Sequence, residues 1–314
     1  MPVQFLPYLI SLIQGVFVSA TSVERQFGYS HDGITRSLVQ RFAWEQWIIL
    51  VIQKLFGILS GGYLIIDDTV IAKPYAKKMQ GASFVHSSLL DRTVFGYNIV
   101  FLCWSNGTIT LPLSWRWYKP NSKTKIDLAM TLVHEAKYRW KLTPDYVLFD
   151  TYYAAERLIN RIVSYKWHVV GQLKCNRIIN AAPLKEDLID HGDTTIGDIT
   201  DQVKGIIVRH DKKFFFTTAM SLSHHEMIAL YQKRWPIEEV FRFLKSELRL
   251  EQCQARTKQA QKTHLASCVL AYLIFQKEKQ IKKQETLYSI RRLWQMDRRL
   301  GRNQINHYVK VLSA

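Results

Sequence analysis

Two short apolar runs that stop on carboxylates constrain this chain more than any other feature: YLIIDDTV at 63–70 and YVLFD at 146–150. Each is too short for a helix and apolar on both alternating faces, which reads as a strand buried on both sides. Between them lie GYNIVFLCW (96–104) and TITLPLSW (108–115), joined by Ser105-Asn106-Gly107, a hairpin signal. An amphipathic helix over 126–140 follows, and after the second run come the helical AAERLINRIVSY and the strand WHVVGQL (167–173). Strand, hairpin, helix, strand, helix, strand is the order of an α/β chain with a mixed sheet, in which ligands gather at the carboxyl ends of strands. If the two apolar strands are neighbours, Asp68 and Asp150 meet at one end of the sheet. Carboxylates brought that close repel and desolvate poorly, and a hard divalent cation such as Mg²⁺ would offset the cost. The alternative is that each aspartate opens a turn or caps the element that follows it.

Outside this core the chain reads as helical at both ends. Residues 1–60 form helices, and TSVERQFGYSHDGITRSLVQR within them is helix-turn-helix-like, its second helix opened by Ser30 or Asp32. The run MPVQFLPYLISLIQGVFVSA is broken by Pro2 and Pro7 and lacks a basic lead, so it is expected as a packed helix, neither a signal nor a membrane anchor. Residues 174–222 mix the turn-rich KEDLIDHGDTTIGDIT with the strand-like GIIV and KFFFTTA. The four cysteines (Cys103, Cys175, Cys253, Cys268) have no zinc spacing and suit a reducing cytosol. Net charge is +17, and the last 84 residues hold 18 Lys and Arg against 7 Asp and Glu. Such an excess favours a polyanionic partner, nucleic acid before membrane.

The stretch YQKRWPIEEVFRFLK (231–245) places Tyr231, Arg234, Glu238, Arg242 and Lys245 at steps of 3, 4, 4 and 3, one stripe of a helix, with Ile237, Val240, Phe241 and Leu244 on another face. A carboxylate flanked by cations suits a metal and the phosphates around it; a surface helix with i,i+4 ion pairs is the plainer reading. Pro236 belongs in a first turn, so Tyr231 and Arg234 are alternatively part of a preceding helix.

Taken together these residues resemble the DDE transposases of bacterial insertion sequences, specifically the insertion sequence four family. The signature of that family, Tyr, two residues, Arg, three residues, Glu, six residues, Lys, is matched here by Tyr231, Arg234, Glu238 and Lys245 at every spacing. IDDT resembles the family's first aspartate block, VLFD followed by a helix its second, and FFFTT stands shortly before the signature; the likeness runs from about residue 60 to 250.

The resemblance implies a ribonuclease H-like mixed sheet with a β-rich insertion at about 174–222, between Asp150 and Glu238. It implies a catalytic domain over 61–250, a helical N-terminal region over 1–60 with a possible role at DNA ends, and a basic helical C-terminal region over 251–314. Asp68, Asp150 and Glu238 would be the catalytic acids, holding two Mg²⁺ or Mn²⁺ ions; the family pattern puts its aspartate directly before the threonine, so Asp68 is chosen and Asp67 is read as structural. Tyr231, Arg234, Arg242 and Lys245 would hold DNA phosphates, with Lys73, Lys174 and Arg177 as further candidates near the site. The implied activity is metal-dependent cleavage at transposon ends and strand transfer into target DNA, in a cytoplasmic, nucleoid-associated homodimer with no membrane contact, the basic C-terminal helices and residues 266–275 being candidate subunit contacts. Trp235 is expected in the core, and His86, His224 and His225 are given no role. An inactive DNA-binding derivative and a host nuclease on the same fold stay open as alternatives.

Overall fold

In the computed structural model the described residues are 5–15, 19–76, 78–88, 90–180, 182–184, 194–282 and 286–313. Most of KEDLIDHGDTT, expected to be turn-rich, lies outside them. Helices α1 (Phe5–Ile13), α2 (Ala20–Phe27), α3 (His31–Val39) and α4 (Trp44–Phe56) open the chain, followed by strands β1 (Tyr63–Ala72), β2 (Ser83–Ser87), β3 (Arg92–Ser105) and β4 (Thr110–Tyr118). Next come α5 (Lys125–Tyr138), β5 (Tyr146–Phe149), α6 (Glu156–Ser164) and β6 (His168–Leu173). Strands β7 (Ile178–Ile179), β8 (Ala182–Pro183), β9 (Thr194–Asp198), β10 (Lys204–His210) and β11 (Lys213–Thr217) lead to α7 (His224–Gln232) and α8 (Pro236–Ser246). The chain ends in α9 (Lys258–Lys282), α10 (Leu287–Met296) and α11 (Arg298–Ser313).

The chain divides into two compact units, a sheet unit of Leu59–Thr69 and Ile99–Ile237 and a helical unit of Met1–Ile58, Val70–Asn98 and Glu238–Ala314. Within the sheet unit β1 lies between β3 and β5, and the order continues through β6, β11, β10 and β9, with β4 beside β3. Strands β1, β5 and β6 are parallel, whereas β6, β11, β10 and β9 are antiparallel. Leu64, Ile65 and Ile66 are fully buried, as a strand covered on both faces requires. The turn after β3 is built by Asn106, whose Oδ1 accepts from the amides of Thr108 (2.9 Å) and Ile109 (3.0 Å), while Gly107 takes φ +88°. A parallel sheet flanked by α5 and α6 and extended by antiparallel strands is the ribonuclease H-like mixed sheet expected from the sequence. The β-rich segment is present too; three of its strands continue the main sheet, and β7 and β8 pair separately. Gly171 on β6 is required by packing, since a Cβ there would meet rings of Phe216 at 2.8 Å and Phe149 at 2.9 Å.

The helical unit is organised around α9, against which α1, α3, α4 and α10 pack. Its middle is apolar all round because it is surrounded, and residues 266–275 are all buried. The expectation that they form a subunit contact is therefore corrected. Two buried polar groups of α9 have partners on other helices: Tyr8 Oη lies 2.7 Å from His264 Nδ1, and Trp44 Nε1 donates to Thr263 Oγ1 at 3.2 Å. Burial presses the His264 imidazole down to about 4, so it stays neutral. The apolar N-terminal run contributes α1, buried here as expected, and no described helix is long and apolar enough to cross a membrane. Gly28, at φ +72°, closes α2, and α3 begins at His31, giving the short helix-turn-helix-like hairpin anticipated from the sequence. Ser30 occupies the N-cap position without a side-chain cap bond.

Candidate active site

The candidate site lies in the sheet unit, where β1 and β5 run side by side. Their parallel register pairs Tyr63 with Tyr146 and ends at Ile66 with Phe149. One further step sets Asp67 level with Asp150, and level residues of parallel neighbours point to the same face. Asp68 points to the opposite face. Strand β1 does not stop at these acids, as the apolar run suggested, but continues through the β-branched Thr69, Val70 and Ile71 to Ala72. Asp150 does stand at a strand end. Its Oδ1 accepts from the amides of Tyr152 (3.0 Å) and Tyr153 (3.4 Å), capping the single 3₁₀ turn Thr151–Tyr153. The capping reading and the acid-cluster reading thus hold together for this residue.

Each aspartate of β1 has its own cation. Arg234 Nη1 meets Asp67 Oδ2 at 2.9 Å, the two side chains being only 10% and 16% exposed. Lys125, the first residue of α5, places Nζ 2.9 Å from both oxygens of Asp68, and Tyr153 donates its hydroxyl to Asp68 Oδ1 at 2.8 Å. Lys125 Nζ also sits 4.3 Å from the centre of the Tyr152 ring. Burial pushes the Asp67 carboxyl up to about 7, Arg234 pulls it down, and Asp150 and Asp68 push it up again. Asp150 is raised as well, by burial first, against the pull of Arg234. The Tyr153 hydroxyl is raised by burial and then by Asp68, so it stays protonated and donates. Three carboxylates here share one field, and burial favours the neutral form of two of them, Asp67 and Asp150. Hard oxygen donors under mutual repulsion are the donor set that suits Mg²⁺ or Mn²⁺. Among the described residues no group of three or more His, Cys, Asp or Glu side chains is placed so that it could hold a metal ion.

The 231–245 stretch is two helices, not one stripe. Helix α7 ends at Gln232 and α8 starts at Pro236, whose ring fits a first turn and cannot continue a helix. Tyr231 and Arg234 belong to the sheet unit; Glu238, Arg242 and Lys245 belong to the helical unit. Tyr231 is buried against Phe215, with rings 4.8 Å apart, and donates to Gln172 Oε1 at 3.3 Å. Arg234 is buried against Asp67. Glu238 is exposed in the first turn of α8, Arg242 is exposed one turn on, and Lys245 is half-buried with Nζ 3.7 Å from Glu251 Oε1. Trp235, expected in the core, is 56% exposed, because it sits in the link between the helices.

The outlying candidates differ. Lys73 is buried in the helical unit and gives its ammonium to the carbonyls of Glu251 (2.6 Å) and Cys253 (3.0 Å). Arg177 donates to the Ile199 carbonyl at 2.7 Å, while Lys174 is exposed; both line a cavity of about 690 Å³ that also includes Thr151, Tyr152 and Glu156. Sequence reasoning missed Lys125 and Tyr153 as partners of Asp68 and read Asp67 as structural. For Tyr153 there was a signal, three residues past Asp150; for Lys125 there was none, since its contact with Asp68 spans 57 positions.

A family model described as "Transposase DDE domain" matches residues 61–274. Among solved structures the chain is similar to a piggyBac transposase synaptic complex with hairpin DNA, at 12% identity and a TM-score of 0.59, covering 98% of this chain and 72% of that one. At that identity the likeness is one of fold. No curated protein sequence matches the chain.

Proposed function

The chain belongs to the transposase DDE-domain family, and on that premise we propose that it cuts DNA at the ends of a mobile element and joins those ends to target DNA, in a reaction that depends on divalent metal ions. The observation that carries this reading is the acid cluster at the β1–β5 junction: Asp67 level with Asp150, Asp68 beside them, and each aspartate of β1 matched to a cation. Asp68 and Asp150 are the acids expected from the sequence, and Asp67 is added to them because of its register. Glu238 is assigned as a further acid from its position in the Tyr-Arg-Glu-Lys pattern, and the insertion sequence four family is favoured on the same pattern. These carboxylates would hold Mg²⁺ or Mn²⁺, two ions in the full site. Bound there, such ions supply Lewis-acid stabilisation of charge on the phosphate and make a water or a DNA 3′-hydroxyl a better nucleophile.

The chain's own residues do the positioning. Arg234, bonded to Asp67 and 5.7 Å from the Tyr231 ring, orients the Asp67 carboxyl and offsets part of the desolvation that raises it. Lys125 and Tyr153 fix the orientation of Asp68 from the other face of the strand. The cap made by Asp150 on residues 151–153 sets its carboxylate relative to β5. Arg242, Lys245, Lys174 and Arg177 are assigned to DNA phosphates, Arg as a planar fork and Lys as a point charge. The two-ended substrate supports a homodimer on DNA, with residues 1–60 assigned to end recognition.

The test is incubation of the full chain with end-bearing duplex, Mg²⁺ and a target plasmid. Cleavage with joining is expected. Binding without cleavage would assign the chain to DNA-binding proteins derived from the family, and cleavage without joining to nucleases.

A further inference from the structure

Helix α11 lies beyond residue 274, where the family match ends, and its sequence RRLGRNQINHYVKVLS contains four cations and no Asp or Glu. Its inner face is set by Gly301, Ile305 and Tyr308, all buried. Gly301 lets α11 lie close on α10, because a Cβ there would meet the Trp294 carbonyl oxygen at 2.9 Å. Tyr308 donates to Glu278 Oε1 on α9 at 2.6 Å, and Gln14 Nε2 donates to the Arg298 carbonyl at 3.1 Å. These contacts fix the rotation of the helix. The opposite face is Arg299, Asn303, Asn306 and Lys310, at steps of 4, 3 and 4, with Arg302 and His307 beside it; Arg299, Arg302, Asn303, His307 and Lys310 are all exposed.

Two acids close to α11 are both turned to structural tasks. Asp297 caps the helix, accepting from the Leu300 amide at 2.9 Å, and Glu278 is committed to Tyr308. The outward stripe therefore presents cations and amides along about 16 Å of helix, the eleven steps of about 1.5 Å from Arg299 to Lys310. Phosphates follow each strand of a DNA duplex at a rise of about 3.4 Å, so such a stripe matches a stretch of backbone in sign and in length. Its amides and guanidinium groups also suit phosphate oxygens as hydrogen-bond acceptors.

We propose that the Arg299–Lys310 stripe of α11 is a duplex-binding surface that grips DNA phosphates outside the catalytic unit and independently of the acid cluster. The proposal takes its choice of polyanion from the transposase reading. It is tested with the full-length chain and a labelled duplex, by the slope of log affinity against log salt between about 50 and 200 mM. R299Q/K310Q is expected to reduce the magnitude of that slope by about 1.8, since each phosphate contact contributes about 0.9. R299K, which keeps the charge, is expected to leave the slope at its wild-type value, and both variants to melt with the wild type. An unchanged slope in R299Q/K310Q overturns the proposal. So does a slope in R299K that falls as far as in R299Q/K310Q, which would mark a folding defect. A loss of binding by R299Q/K310Q to vesicles containing one-third phosphatidylserine (a fraction chosen as about that of an acidic leaflet) with an unchanged duplex slope would reassign the stripe to a membrane surface and overturn it too. Wild-type protein that binds no duplex at all would instead sink the transposase reading.

Discussion

Arg234 and Asp67 form a buried ion pair, Nη1 to Oδ2 at 2.9 Å, across 167 positions of sequence. This one contact joins the link after α7 to the strand that carries the acids. The sequence pattern names Arg234 as a phosphate ligand, and its guanidinium is instead seen bonded to a buried carboxyl group. Both roles use the same planar fork, and they make different demands on a substitution.

Arg234→Ala is expected to destabilise the fold by about 3–5 kcal/mol, because it strands a buried carboxylate. Arg234→Lys should recover part of that loss and little of the activity, since the charge returns without the fork. Thermal melts paired with single-turnover cleavage at saturating protein measure the two effects. An alanine variant that melts with the wild type would mean that the pair is not formed in solution.

Neutralising the acids should stop cleavage and spare DNA binding. Asp150→Asn and Asp67→Asn are expected to be inactive at saturating Mg²⁺, because their carboxylates share one face. Asp68→Asn, on the other face and paired to Lys125, is expected to retain more activity than Asp67→Asn. The reverse order would return the primary role to Asp68, the choice made from the sequence pattern. Glu238→Gln is expected to lose cleavage as well, and full activity in it would remove Glu238 from the site.

The contribution of Asp67 to the stability of the metal-free protein should fall as pH rises from about 4 to about 7, whereas His264, pressed down to about 4 by burial, acts in the opposite sense. The sign follows from Asp67: its folded value is near 7 and its unfolded value is 3.8, so between them the native state holds the proton and the unfolded chain does not. The contribution is complete below the unfolded value and is lost once pH passes the folded one. Urea midpoints at either end of the range, read with a chelator present, should shift downward with rising pH more in the wild type than in Asp67→Asn, which leaves His264 as the opposing group. Adding Mg²⁺ at the upper end should raise the wild-type midpoint by mass action on the native state. An identical pH dependence in the wild type and in Asp67→Asn would contradict the buried placement of Asp67.

Lys73→Met should lower stability without altering duplex affinity. The substitution removes the donor from two carbonyls, those of Glu251 and Cys253, and each orphaned buried acceptor costs about 1–3 kcal/mol. A measured fall in affinity with an unchanged melting temperature would restore Lys73 to the DNA contacts expected from its position after IDDT.

Tyr153→Phe isolates the orientation of Asp68. Its hydroxyl is the donor at 2.8 Å, the ring is fully buried, and the variant keeps the packing. The expected loss is about 1 kcal/mol of stability with a small drop in cleavage rate. A rate unchanged alongside a clear loss of stability would show that Tyr153 serves the fold alone.

The elements themselves were legible because each is written in a local period. YLIIDDTV and YVLFD are apolar on both faces and became the adjacent buried strands β1 and β5; Asn106-Gly107 closed the expected turn; Pro236 began a helix because its ring allows nothing else there. What the sequence could not determine is which partner each side chain keeps. Adjacent aspartates look alike in a string of letters, and only the pairing of Ile66 with Phe149 turns Asp67, not Asp68, to the face of Asp150. Lys73, expected as a DNA contact, is buried, and the apolar run 266–275 faces its own core, because exposure depends on what the rest of the chain brings alongside. Lys125 met Asp68 from the start of α5, where the Thr124–Asp127 capping box marks a helix but not the partner of its first residue. Period and propensity are short-range and fix elements; register, burial and ion pairing are set by contacts tens to hundreds of residues apart, and only the tertiary structure decides them.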